Sequence, residues 1–144
     1  MVTKYFEIHK QPPKLQRRAA PIHWLPPLEG MYKANFDAAY FGNLGMAGIR
    51  VVVHDSEGEI IAALRYKICE PHSVDAAKAL ACNRSVSFTK ELCLLSVIVE
   101  GDSKRVVQAV TNKGENLTLF GHVIKEIQGS CSSFTRISFQ CVRT

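Results

Sequence analysis

Between Tyr32 and Ile68 the chain alternates like a β-strand three times, and only short turn sequences separate the three runs. Connections that short allow only antiparallel neighbours, because a parallel pairing needs a crossover of a dozen residues or more. In the first run, Tyr32–Tyr40, the residues Tyr32, Ala34 and Phe36 face one way and Lys33, Asn35 and Asp37 the other. Gly42, Gly45 and Gly48 place a turn near 41–46. The second run, Ile49–His54, is β-branched. Asp55-Ser56-Glu57-Gly58 is a turn sequence, and Ile60–Ile68 completes a three-strand meander.

The period then changes. Ser73 is a good N-cap and Asp75 suits a first helical turn. The Ala-rich stretch that follows lacks Gly and Pro, which predicts a helix over about 74–89. Ser96–Glu100 reads as a short buried strand, Gly101-Asp102-Ser103 as a turn and cap, and Lys104–Thr111 as a short helix. Leu117–Gln128 has apolar residues at helical spacing, and Arg136–Val142 alternates again, with Ile137, Phe139 and Cys141 on one face. A meander followed by alternating helices and strands predicts an α/β fold, a mixed sheet with helices packed on it.

At 144 residues the length suits one domain. Residues 1–23 show no useful period and are expected to form a flexible tail. Residues 24–144 would form the domain, entered through the extended Trp24-Leu25-Pro26-Pro27, with Trp24 at the fold's edge. The net charge of +5 permits a polyanionic partner without requiring one. Much of it lies in residues 1–30, where Lys4, Lys10, Lys14, Arg17 and Arg18 face only Glu7 and Glu29. Five cysteines without a C-x-x-C pair argue against a disulfide framework or structural zinc, and favour reduced, buried thiols in an intracellular protein. The five histidines show no metal-ligand spacing. No apolar run approaches the roughly 20 residues of a membrane span, and residues 1–10 have no secretory pattern, so no membrane partner is expected.

Three motifs in order carry a resemblance. Trp24-x-Pro26-Pro27-x-x-Gly30-x-x-Lys33-x-Asn35-x-Asp37 resembles the opening of plant ribonuclease H-like domains related to retrotransposon reverse transcriptases. Ala47-Gly48-x-x-Val51-Val52-x-x-Asp55-x-x-Gly58-x-x-x-Ala62-Ala63 is similar to their second and third strands, and Val99-Glu100-Gly101-Asp102-Ser103-x-x-Val106-Val107 to their fourth strand and next helix. The match runs from about Trp24 to Val142. It implies a ribonuclease H-like fold, with a five-stranded mixed sheet flanked by helices. It also implies a nucleic-acid-binding hydrolase, a nuclease that cuts the RNA of an RNA–DNA hybrid with Mg²⁺. Four carboxylates hold the metal pair in that family, one ion activating water and the other stabilising the leaving oxygen.

Carried over residue by residue, the resemblance assigns Asp37 and Asp102 as catalytic residues and metal ligands. Read alone, Asp37 is an exposed strand-end acid and Asp102 a helix N-cap. The family's helix motif, Ala-Glu-Ala-x-Ala, reads Ala77-Lys78-Ala79-Leu80-Ala81 here, so Lys78 stands in place of the glutamate. An ammonium repels Mg²⁺. At ~4 Å and an effective dielectric near 20, each unit-charge pair is worth about 4 kcal/mol. Lys78 is expected to turn toward Asp37 and Asp102 as an internal counterion. Asp75, one turn earlier, is a weak substitute ligand that helix-dipole stabilisation explains as well. The family continues past its last strand through a His-Val-x-Arg-type pattern into a helix bearing the fourth acid. Here Cys141 takes the histidine position and the sequence reaches Thr144 without that helix, which suggests truncation or degeneration.

Three readings stay open: a ribonuclease H-type enzyme with weak or lost cleavage, an inert nucleic-acid-binding module, and a transposon-derived fragment without function. The expected partner is an RNA–DNA hybrid or RNA, bound by a monomer. Arg50, Arg65, Lys67, Arg84, Lys90, Lys104 and Arg105 would either contact phosphates or form an ordinary solvated surface.

Overall fold

A computed structural model describes residues 3–8, 25–112 and 120–142. Its strands are β1 (Thr3–Ile8), β2 (Tyr32–Phe41), β3 (Met46–His54), β4 (Ile60–Cys69), β5 (Ser96–Gly101) and β6 (Arg136–Cys141). Its helices are α1 (Val74–Glu91), α2 (Lys104–Thr111) and α3 (Gly121–Ser130). The sheet order is β1-β4-β3-β2-β5-β6. The meander β2-β3-β4 is antiparallel, and β5 and β6 continue it in parallel on the other side of β2. The five-stranded mixed sheet expected from the sequence is thus present, with β2 central.

The sixth strand departs from the reading of residues 1–23 as a flexible tail. Thr3–Ile8 pairs antiparallel with β4 from Thr3↔Lys67 to Ile8↔Ala62. Thr3, Tyr5, Phe6 and Ile8 are good strand formers, and β4 would otherwise present an open row of N–H and C=O groups. The expected positions of Trp24 and of helix start Leu117 lie outside the described residues.

One face of the sheet builds the core. Ala34 and Phe36 of β2, Ile49, Val51 and Val53 of β3, Ala62 and Leu64 of β4, and Val99 of β5 pack with Val86 and Phe88 of α1 and Ile124 and Ile127 of α3. Alternation along β3 is clean, buried at Ala47, Ile49, Val51 and Val53 and exposed at Arg50. Helix α1 starts where Ser73 predicts, its Oγ accepting from the Ala76 N–H at 3.0 Å. Cys82 alone of the five free cysteines is buried, and burial pushes its thiol pKa well up; Cys69 and Cys93 are exposed, contrary to the expectation of buried thiols. No helix among the described residues is long and apolar enough to cross a membrane.

The other face carries a charge network under a cover. Lys33 and Glu100 are buried, at 3% and 5% exposure, and their charges meet at 3.3 Å. The Lys33 ammonium also donates to the Leu25 carbonyl, in the segment where Pro27 is buried. Asn35 Nδ2 donates to Glu100 Oε1 at 2.9 Å, and Gln140 Nε2 donates to Glu100 Oε2. One carboxylate therefore ties β2, β5 and β6 together. His54 lies opposite Lys33 across β2 and β3; burial first and then the Lys33 ammonium lower its pKa, against the carboxylates of Asp55 and Glu100. At neutral pH this imidazole stays uncharged beside the ammonium.

Two outcomes follow from this packing. An alanine at Gly101 would set its Cβ 2.3 Å from Cζ of the buried Phe36, so Gly101→Ala should destabilise the fold by about 1–3 kcal/mol in urea unfolding. Lys33→Met should cost about 3–5 kcal/mol, because it leaves Glu100 as a buried charge without its cation. Adding Glu100→Gln should recover at least about 1 kcal/mol of that loss. Strictly additive costs would show that the two charges are not coupled.

Candidate active site

The parallel register of β2 and β5 decides which acids can meet. Tyr32 pairs with Val97 and Asn35 with Glu100. Two residues further at the same offset, Asp37 is level with Asp102, just past the last β2–β5 pair, where β5 ends and β2 runs on against β3 to Phe41. Asp37 is exposed, and its Oδ1 accepts from the Ala38 N–H at 2.9 Å. The cost of burying an acid in a central strand falls on Glu100, two residues earlier in register.

Asp102 does not cap α2. Ser103 does, its Oγ accepting from the Val106 N–H at 3.2 Å. This corrects the N-cap reading of Asp102 and leaves its carboxylate to Lys78. The Lys78 ammonium lies 3.2 Å from Asp102 Oδ1, with the lysine side chain 21% exposed and the aspartate 46%. A pair this open to solvent contributes little to stability, about 0–1 kcal/mol. Its effect is on the charge of the site. Asp75 is drawn elsewhere: its Oδ2 accepts from Arg105 Nη1 at 2.7 Å, joining the first turn of α1 to the first turn of α2. On the other side of Asp37, Arg50 stands directly opposite it in β3.

A two-metal centre needs several carboxylate oxygens converging on hard cations. The residues present do not fit that requirement. Asp102 faces an ammonium, Asp75 faces a guanidinium, and among the described residues no group of three His, Cys, Asp or Glu side chains could hold a metal ion. The arrangement instead has one ion pair, Lys78 with Asp102, and Arg50 opposite Asp37 in register. Asp37 and Asp102 supply two negative charges, and Arg50 and Lys78 two positive ones.

Lys33, Asn35 and Glu100 stand in the motifs, but the sequence pattern assigns them no role. The available signal was Lys33 and Asn35 on one face of β2 and Glu100 in β5, polar residues inside segments otherwise apolar enough to be central.

The family model described as reverse transcriptase-like matches residues 35–144. No curated protein matches the chain significantly in sequence. Among solved structures, RNase H1 from the halophilic archaeon Halobacterium salinarum NRC-1 superposes with a TM-score of 0.71 at 20% identity, over 78% of this chain and 85% of that one. The N-terminal RNase H domain of a Mycobacterium tuberculosis protein, solved as a fusion with maltose-binding protein, gives 0.69 at 21% identity, over 78% and 81%. LC11-RNase H1 in complex with an RNA/DNA hybrid gives 0.66 at 20% identity, over 77% and 84%. These likenesses show the fold, and the family match covers both aspartates, Lys78 and the buried network apart from Lys33. The chain belongs to the reverse transcriptase-like family and folds as an RNase H-like domain.

Proposed function

We propose that this domain binds an RNA–DNA hybrid at the β2–β5 strand end and holds it without Mg²⁺-dependent cleavage. The observation that carries this reading is the Lys78 ammonium 3.2 Å from Asp102. In a metal-dependent site the carboxylates leave a net negative charge, and divalent ions must neutralise it before a phosphodiester can approach. Here Lys78 and Arg50 perform that neutralisation, so the charges of Asp37, Asp102, Lys78 and Arg50 sum to zero without any metal. A phosphate then meets no net repulsion. The same ammonium opposes a divalent cation at Asp102, where the water-activating chemistry would need one. The family match and the hybrid-bound LC11-RNase H1 neighbour support the choice of a hybrid as ligand.

The test pairs binding with cleavage. Fluorescence anisotropy with a labelled hybrid should give the same affinity in EDTA and in Mg²⁺, and the hybrid should stay intact on prolonged incubation with Mg²⁺. Lys78→Glu changes the local charge by two units. It should weaken hybrid binding in EDTA about tenfold, or ~1.4 kcal/mol. It should also raise Mg²⁺ affinity in a calorimetric titration. Vigorous Mg²⁺-dependent cleavage by the wild-type chain, abolished in Asp37→Asn, would contradict the reading.

A further inference from the structure

The face of the sheet turned away from the helices has an open end beside Asp37. Its residues fall into three rows set by register. Asp37, Arg50 and Arg65 form the first row across β2, β3 and β4, Ala39, Gly48 and Lys67 the second, and Phe41, Met46 and Cys69 the third. Arg50, Arg65 and Lys67 are exposed, and Asp37 is the one acid on these rows. Ala39 and Gly48 give the middle row almost no height. An ideal Cβ on Gly48 would stand 3.9 Å from Phe41 Cε2, so the Phe41 ring lies beside this low floor. Phe41 is nonetheless 48% exposed.

Arg50 and Arg65 are directly opposite each other, and Lys67 stands one row further on, so three exposed cations line this end of the face. A half-exposed phenyl ring forfeits much of the burial that makes phenylalanine stabilising. A polyanion carrying flat apolar rings suits both features. Its phosphates meet the cations, and a base covers the ring.

We propose that this end of the open sheet face is a platform for an unpaired polynucleotide strand, with phosphates on Arg50, Arg65 and Lys67 and a base stacked on Phe41. The inference rests on the reading of the domain as a nucleic-acid binder and adds to it a second ligand form, on a surface that adjoins the first at Arg50. The occupant is single-stranded because a ring lying along a sheet can stack only on a base already splayed from its neighbours. The contacts read phosphate charge and a π-face, so sequence preference is weak.

The experiment uses the full chain and two probes: a fluorescein-labelled ten-nucleotide oligo-uridine strand, and an RNA–DNA hybrid duplex. The wild type should bind both. Phe41→Ala should weaken oligo-uridine binding at least about fivefold, the low end of what one base–aromatic stack supplies, and Phe41→Tyr should keep it. Arg65→Ala with Lys67→Ala should reduce the salt slope of oligo-uridine binding by about one to two. Hybrid affinity should stay within about twofold in all these variants, and their unchanged circular dichroism would show that they fold. Oligo-uridine binding insensitive to Phe41 and to the Arg65–Lys67 pair, with hybrid binding intact, would overturn the platform alone. Loss of hybrid binding in the wild type, with oligo-uridine binding present and sensitive to Phe41, would overturn the hybrid reading and leave the platform standing.

Discussion

Everything at the strand end depends on a charge buried one step before it. Glu100 sits at 5% exposure in the middle of the sheet, where an isolated carboxylate would cost several kcal/mol. It is tolerated because Lys33, Asn35 and Gln140 each supply a donor. Those donors come from β2 and β6, the two neighbours of β5, so satisfying one acid fixes three strands at one level. The register thus imposed, Asn35 against Glu100, is the register that brings Asp37 level with Asp102. A slip by one residue would turn the whole network to the apolar face and separate the two aspartates.

What the strand end does is then decided by the helix beside it. Ser73 sets where α1 begins, and Ala77, Ala79 and Ala81 let it lie close to the sheet. That placement carries residue 78 to Asp102. With a carboxylate at 78 the position would add a ligand for a hard cation; with an ammonium it cancels one. The same backbone therefore supports either of two charge states. Tying Asp75 to Arg105 removes the nearest spare acid and braces α1 against α2. At this strand end Lys78 pairs with Asp102 and Arg50 stands opposite Asp37, with further exposed cations alongside.

The parts legible in the sequence were those governed by local periodicity. The meander, α1 and its Ser73 cap, the β5 strand and α2 follow from alternation, capping chemistry and the absence of Gly and Pro, and each forms close to its expected bounds. The approach of Lys78 to Asp102 was also legible, from the position that residue 78 takes in the family's helix motif. What escaped depended on partners distant in sequence. Thr3–Ile8 has ordinary strand propensity, and only the free edge of β4 makes it a strand. Asp102 and Ser103 are both good caps, and local sequence does not tell which one turns to the helix. Lys33 and Glu100 are 67 residues apart, and a charge that would normally mark a surface position is buried in each.

In the function proposed above, Lys78 rather than a metal ion neutralises Asp102. Paramagnetic broadening tests this: amide resonances of the ¹⁵N-labelled chain are followed during addition of Mn²⁺, which occupies the same oxygen sites as Mg²⁺. No localised broadening is expected at Asp37, Ala38, Asp102 or Ser103 in the wild type, and it should appear in Lys78→Glu. Selective loss of those four resonances in the wild type at low Mn²⁺ would show that the aspartates hold a metal despite the ammonium, and would contradict that function.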